Sequence, residues 1–256
     1  MTAAARVLEY NVLVYKKTWH GSLFTTFFAP ILFLASMGIG LGGYIDQSGS
    51  AALGGVPYAV FLAPGLLVAQ AMQTGSFEST YPIMGNLVWD RVYHGMLATP
   101  ITVRGIILGQ LAWMTVRLTI VAAAFFLVMV VFRVVDSPLG VLGIGAAVLT
   151  GLAFAAPIMA FAATQRNDTA FSAIFRFLIT PLFIFSGTFF PITQLPPFLR
   201  WIAYLTPTWH GVNLARTLSL GIVDPVLMIV NVAFLVGCIT GGIAVCLITF
   251  RRVLVK

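Results

Sequence analysis

Apolar residues run through this chain in long blocks that polar residues interrupt only briefly. A bilayer-crossing helix takes about 20 mostly apolar residues. Six blocks reach that length, at residues 23–43, 57–80, 105–132, 138–163, 171–190 and 225–250, so the pattern predicts six transmembrane helices. Only "RVVDS" lies between the third and fourth, which predicts a tight hairpin at one surface. Pro30 and the glycine-rich "GIGLGG" mark the exit of the first span, and Pro181 kinks the fifth, the shortest.

Two stretches outside these blocks have a two-faced pattern. On a helix, at about 100° per residue, "RVLEYNVLVYKKTWH" puts Arg6, Glu9, Lys16, Lys17 and His20 in one arc. Val7, Leu8, Val12, Val14, Tyr15 and Trp19 fall on the other side, and Leu13 alone is out of place. That predicts an interfacial amphipathic helix over residues 3–20, with Trp19 at the headgroup level. Between the second and third spans, "GNLVWDRVYHGMLATPITVRG" predicts a short helix within residues 86–100, stopped by Pro100. Asp90, Arg91 and His94 are on its water-facing side. It suits either a connection resting on the membrane or a docking element for a soluble partner, and the polar link "ATQRNDTAF" offers a smaller contact.

A third stretch, "FFPITQLPPFLRWIAYLTPTWHG", fits neither a span nor an ordinary loop. Pro191, Pro196, Pro197 and Pro207 would break a spanning helix, while Phe198, Leu199, Trp201, Ile202 and Trp209 are too apolar for solvent.

Composition settles the class. Of 256 residues, 60% are hydrophobic and 8% charged, with a mean hydropathy of +1.01. A soluble domain carries about 25% charged residues, so this composition predicts an integral membrane protein, all-α and one membrane domain over 1–256. The first apolar block is too long for the core of a removable signal peptide. Cys238, Cys246 and the scattered His20, His94 and His210 lack metal-ligand spacing, and no metal site is expected. Asp46, Asp136 and Asp224 stand singly, so no catalytic constellation is expected either.

Basic residues set the expected orientation. With the N-terminus inside, Arg6, Lys16, Lys17, Arg91, Arg104, Arg166, Arg176, Arg251, Arg252 and Lys256 face the cytosol. Arg133, Arg200 and Arg216 face outward, and both termini are then cytosolic. The net charge of +7 is explained by contact with anionic headgroups, without nucleic acid.

Two charges fall inside the hydrocarbon: Glu78 in the second predicted span and Arg117 in the third. A charge at the bilayer centre costs about 2.5–3.5 kcal/mol on insertion scales. At the helical rise per residue their depths differ by only about 5 Å, within reach of a snorkelling arginine. They are expected to pair, as a staple between two helices or as the lining of a transport path.

No energy source is encoded. A P-loop needs lysine directly after glycine, and Lys16, Lys17 and Lys256 do not follow one. Glu78 is a single intramembrane carboxylate, and no inverted repeat supports an ion-coupled carrier. Energy is expected from a partner, received at the Asp90–Leu97 helix.

Taken together, the N-terminal helix, six spans and docking helix resemble the ABC-2 type permeases of ATP-binding cassette transporters. So does "FFPITQLPPFLRWIAYLTPTWHGVNLARTLSLG", with its Leu195-Pro196, aromatic stretch, Thr206-Pro207 and a helix ending near Arg216. The stretch "FESTYPIMGNLVWDRVYHGMLATPITVRGIILGQLAW" looks most like the nodulation lipo-chitooligosaccharide and daunorubicin-type drug exporter permeases.

The resemblance implies that residues 189–219 form two short re-entrant outer helices, with Pro191, Pro196, Phe198, Trp201, Pro207 and Trp209 as an outer gate. Enlarging Gly187 or Gly211 is then expected to jam transport but spare assembly. Asp90, Arg91, His94 and Leu97 become ATPase-coupling residues. The chain itself would bind no cofactor. ATP and Mg²⁺ would sit on two separate ATPase subunits, beside a second permease, identical or homologous. The implied function is export of an amphipathic lipid, lipo-oligosaccharide or drug across the bacterial inner membrane. A polysaccharide exporter of the same fold, or an ion-coupled carrier, are the alternatives.

Overall fold

The computed structural model describes residues 2–47, 53 and 55–255. Lys256 lies outside the described residues, as does the side chain of His20. Helix α1 (Ala3–Phe33) passes through a π-helical stretch at Leu34–Leu41 into α2 (Gly42–Gln47). Next come α3 (Tyr58–Glu78), α4 (Tyr81–Met84), a π turn at Gly85–Trp89 and α5 (Val92–Leu97). Helix α6 (Val103–Val131) is followed by a 3₁₀ turn at Pro138–Leu142 that enters α7 (Gly143–Ala162). A π turn at Phe175–Ile179 joins α8 (Thr169–Ile174) to α9 (Thr180–Phe185). The chain ends in α10 (Pro197–Tyr204), α11 (Pro207–Leu220) and α12 (Pro225–Leu254).

Local chemistry sets several of these boundaries. Thr102 caps α6 by accepting the Gly105 N–H at 3.2 Å. Asp224 caps α12 by accepting the Val226 and Leu227 N–H groups at 3.1 and 3.2 Å. Pro197, Pro207 and Pro225 open their helices, where a missing N–H costs nothing. Gly221 ends α11 at φ 72°, a left-handed cap that favours glycine.

The protein is an all-α integral membrane protein. Among the described residues, Thr26–Gln47, Tyr58–Trp89, Val103–Val131, Pro138–Ala162 and Pro225–Leu254 are long and apolar enough to cross a bilayer. The fifth predicted span, residues 171–190, is instead a shorter apolar segment, Thr169–Phe185. It stops at Phe185, where the chain enters a turn over Ser186–Thr188 with Gly187 at φ 83°.

The N-terminal segment also differs from expectation. Residues 3–20 do not form a separate helix; they are the first half of the 31-residue α1. Much of the apolar face predicted to lie in lipid packs on α6. A Cβ on Gly109 would stand 2.6 Å from the Val7 Cβ, and one on Gly105 2.6 Å from the Ala3 Cβ. Two small residues on α6 thus make a seat for α1. Leu13 and Val14 remain exposed beside it.

Helix α3 is the centre of the bundle, packed by α6, α7 and α11. It is buried almost all round, with Leu62, Ala63, Val68, Ala69, Ala71 and Met72 at 0% exposure. Its crossing with α7 is a backbone contact, since a Cβ on Gly75 would overlap the Gly151 carbonyl oxygen. Without a hydrophobic drive between helices in lipid, such close approach is what holds them together. Helix α12 is the opposite case. It buries a single stripe of Asn231, Leu235, Gly242, Cys246 and Phe250, largely against α7, and leaves its other faces apolar and outward. The termini end and the far end each have their own apolar core, the first around Met84, Ile106, Phe171 and Phe250, the second around Leu62, Phe125 and Leu214.

Gly75→Val should lower the thermal unfolding midpoint in detergent markedly, because overpacking a tight crossing costs about 1–3 kcal/mol. Gly145→Val, with open space beside it, should leave the midpoint close to wild type. Equal midpoints would remove the crossing as a determinant of stability.

Candidate functional site

The intramembrane charges meet. Arg117 donates from Nε and Nη2 to Glu78 Oε1, both at 3.2 Å. The two side chains are only 11% and 17% exposed. Helix α1 completes the arrangement: the Tyr15 ring lies 4.5 Å from the Arg117 guanidinium, and Trp113 packs on Tyr15 at 5.4 Å. A cation against a ring face away from water gains from the ring quadrupole. The pair therefore ties together α1, α3 and α6.

A cavity opens on either side of the pair. The one nearer the termini, of 420 Å³, is lined by Asn11, Tyr15, Tyr81, Asn86, Trp89 and Gln110 as well as the ion pair. Asn11 donates to Gln110 Oε1 at 3.1 Å, closing one wall between α1 and α6. The other, of 470 Å³, is lined by Thr26, Gln70, Gln73, Thr74, Phe77 and Phe175 and again by Glu78 and Arg117. Gln70, Gln73, Thr74, Phe77 and Glu78 are the residues on which α3 is not buried along that stretch. Their spacing of three and four places them on one helical face. This polar stripe escaped the sequence reading, which weighed charges alone. The spacing of Gln70, Gln73, Thr74 and Glu78 was the available signal.

The predicted coupling region is held from beneath. Tyr93 is 1% exposed and packs 6.1 Å from Phe250 of α12, and burial raises the pKa of its phenol. Asp90, Arg91 and His94 are exposed, whereas Leu97 is half-buried against the apolar core of the termini end. Arg91 takes φ 53°, a left-handed junction between the π turn and α5. A hollow of 590 Å³ lies beside α5, lined by Val88, Arg91, His94, Gln165, Arg166 and Val253. It joins α5 to the second polar link and to the end of α12.

At the far end, α10 and α11 occupy the proline-broken segment. Pro191, Pro207 and Trp209 are half-buried, and Pro196 is exposed. Phe198 and Trp201 are 66% and 72% exposed, so they face outward with Ile202 and Leu205. The inward ladder is formed by Tyr204, Trp209, His210 and Phe234, with successive ring centroids 4.6, 4.9 and 4.0 Å apart.

His210, expected to be a scattered interface residue, is buried. Its Nε2 lies 3.1 Å from the Tyr204 carbonyl and its Nδ1 2.8 Å from Asn231 Oδ1. Asn231 donates in turn to Asn213 Oδ1 at 2.9 Å. Arg216, expected as an outer surface charge, donates to the carbonyls of Phe61 at 3.1 Å and Gly187 at 2.8 Å, with its guanidinium 3.7 Å from the Phe61 ring. Neither role was readable without Asn231, Phe61 and Gly187, which lie 21 or more residues away.

Gly211 requires a correction. A Cβ there would overlap the Thr150 hydroxyl and come within 2.9 Å of Val68. It is a packing position for α11, where a larger side chain collides with Thr150 and Val68, so disturbed assembly is expected in place of a specific block on transport. Gly187 has no atom nearer than 3.8 Å to such a Cβ, and its constraint is the positive φ alone.

A reversal of either Glu78 or Arg117 should cost about 3–5 kcal/mol, because it leaves a buried charge unpaired. The swap E78R/R117E should recover most of that loss in a double-mutant cycle read by thermal unfolding. Additive losses would show that the two do not act as a pair.

Sequence comparison adds the chain's relatives. The family described as ABC-2 type transporter matches residues 4–220. Nodulation protein J of Neorhizobium galegae is 32% identical over 217 residues, which is 84% of this chain and 80% of that protein. Nodulation protein J of Rhizobium leguminosarum bv. trifolii is 30% identical over 215 residues, again 84% and 80%. The inner membrane transport permease YadH of Escherichia coli (strain K12) is 26% identical over 194 residues, 72% of this chain and 74% of that one.

Proposed function

The chain belongs to the ABC-2 type transporter family, and from that premise we propose that it is the permease half of an exporter that moves an amphipathic substrate out of the cytosol or inner leaflet. The observation that carries this reading is the polar stripe of α3, which faces a cavity at membrane depth across the Glu78–Arg117 pair. A stripe of amides on a helix otherwise buried in apolar packing costs free energy unless polar groups or water meet it. A substrate with one polar and one apolar part fits that lining, with Gln70, Gln73 and Thr74 toward its headgroup and Phe77, Val121 and Phe175 toward its tail.

The termini end faces the cytosol in this reading, in the bacterial inner membrane, because it gathers Arg6, Arg91, Arg104, Arg166, Arg251 and Arg252. Two separate ATPase subunits hold ATP and Mg²⁺ and dock at the hollow beside α5. A second permease, identical or homologous, completes the path. When ATP binding closes the ATPase pair, Asp90, Arg91 and His94 receive the push. Tyr93 of α5 transmits it, since it is buried against the packed ends of α6 and α12. The π turn at Gly85–Trp89 is the compliant joint between α5 and the cavity wall. Substrate leaves past α10 and α11, where the Tyr204–Trp209–His210–Phe234 ladder closes the far end at rest.

The test is purification of the tagged protein from its native membranes in mild detergent, with identification of co-purifying chains and measurement of ATP hydrolysis. A P-loop ATPase should accompany it and be lost in D90R or R91E, while the permease remains folded. Gln73→Leu should retain the ATPase and lose most substrate-stimulated hydrolysis. Absence of any ATPase, together with transport that follows an ion gradient, would overturn the proposal.

A further inference from the structure

At the termini end, outside the cleft and the docking hollow, α6 and α12 leave a crevice of 360 Å³ between them. Its lining is Val103 and Arg104 from the start of α6, and Leu247, Ile248 and Arg251 from the last turns of α12. The two helices run in opposite directions, so both arginines stand at the rim with Val103, and Leu247 and Ile248 lie deeper toward the bundle's middle. Leu108, one turn beyond Arg104, and Val245 and Ile248 on α12 are exposed to the surrounding hydrocarbon.

Arg104 and Arg251 are both exposed, and neither has an acidic partner among the described residues. Two like charges lining one crevice repel each other unless an anion sits between them. An arginine fork binds phosphate oxygens in bidentate fashion. The apolar walls below continue into the lipid-facing surface, which suits an acyl chain and leaves little for a soluble anion to gain. The level is also right: arginines at the ends of spanning helices reach the headgroup layer.

We propose that this crevice is a binding site for an anionic phospholipid, its phosphate between Arg104 and Arg251 and an acyl chain along Leu247, Ile248 and Leu108. The lipid would tie the start of α6 to the end of α12. Those two elements flank α5, so the site lies beside the coupling region without belonging to the substrate cleft. The proposal rests on the reading that the termini end faces the cytosolic leaflet.

The experiment is native mass spectrometry of the detergent-solubilised full chain, titrated with phosphatidylglycerol, with phosphatidylcholine, and with phosphatidylglycerol in the presence of inorganic phosphate. Wild type should retain phosphatidylglycerol in preference to phosphatidylcholine. R104Q/R251Q should bind it about thirtyfold more weakly, the worth of two interfacial arginines. R104K/R251K, which keeps the charge but loses the bidentate fork, should bind between wild type and R104Q/R251Q, and R252Q, whose site is outside the crevice, should lose little. Ile248→Asn, an exposed substitution that spares the fold, should weaken the lipid alone. Undiminished binding by R104Q/R251Q would overturn the site. So would an equal loss in R252Q, which would mean general charge attraction. Displacement of the lipid by inorganic phosphate at equal concentration would also overturn it, making the site one for free phosphate. The titration needs neither ATPase nor substrate, so its outcome is independent of whether the exporter reading stands.

Discussion

A guanidinium inside hydrocarbon must find an acceptor, and Arg117 has Glu78. Much of the architecture follows from that requirement. The carboxylate must lie on α3, at the level of mid-α6, which fixes the register of the two helices. Both groups need shelter without complete burial, so α1 lies across them with Tyr15 on the guanidinium. Helix α1 can come that close only because Gly105 and Gly109 let its backbone onto α6. The same requirement leaves a cavity on each side of the pair, because the polar residues near it cannot be packed against lipid-like side chains at no cost.

Small residues perform the complementary task. Gly75 against Gly151, Gly211 against Thr150 and Gly242 against Ala156 bring α3, α11 and α12 onto α7 at backbone distance. Helix α7 is thereby the hub that positions the others, and α3, clamped between α7 and α6, is free to show one polar stripe and nothing else. Close packing and the open cleft are two aspects of one arrangement: the tighter the α3–α7 crossing, the more completely the stripe is turned to the opposite side.

The two ends of the bundle solve different problems. At the termini end, Tyr93 and Phe171 sink into apolar packing so that Asp90, Arg91 and His94 can stay outside, the first two just ahead of the short α5 and the third on it. At the far end, irregular backbone sits within the bundle, and its polar groups are met by protein. Arg216 takes three carbonyls, His210 takes another, and Asn231 and Asn213 continue the chain of hydrogen bonds. Non-helical backbone at this depth is tolerated where protein surrounds it, and α11 is surrounded by α3, α7 and α12.

The sequence by itself determined the class, the long apolar helices, the breaks at Pro197 and Pro207, and the presence of two intramembrane charges at matching depth. These are local properties: apolar length, a proline ring without an N–H, and the rise of a helix per residue. It overstated the fifth span and cut α1 in two, because neither the turn at Gly187 nor the seat on α6 is visible in apolar periodicity. Only the tertiary structure decided which faces meet. His210 became a buried hydrogen-bonding residue when α12 brought Asn231 to it, and Arg216 left the surface when α3 and the Gly187 turn offered carbonyls. Leu97 turned inward because Tyr93 and its neighbours fixed the roll of α5. In lipid, apolar residues gain little by facing one another, so the pattern that places a helix in the membrane does not say which side is buried. Close-packed glycines and paired polar groups settle that, and their partners lie far away in the chain.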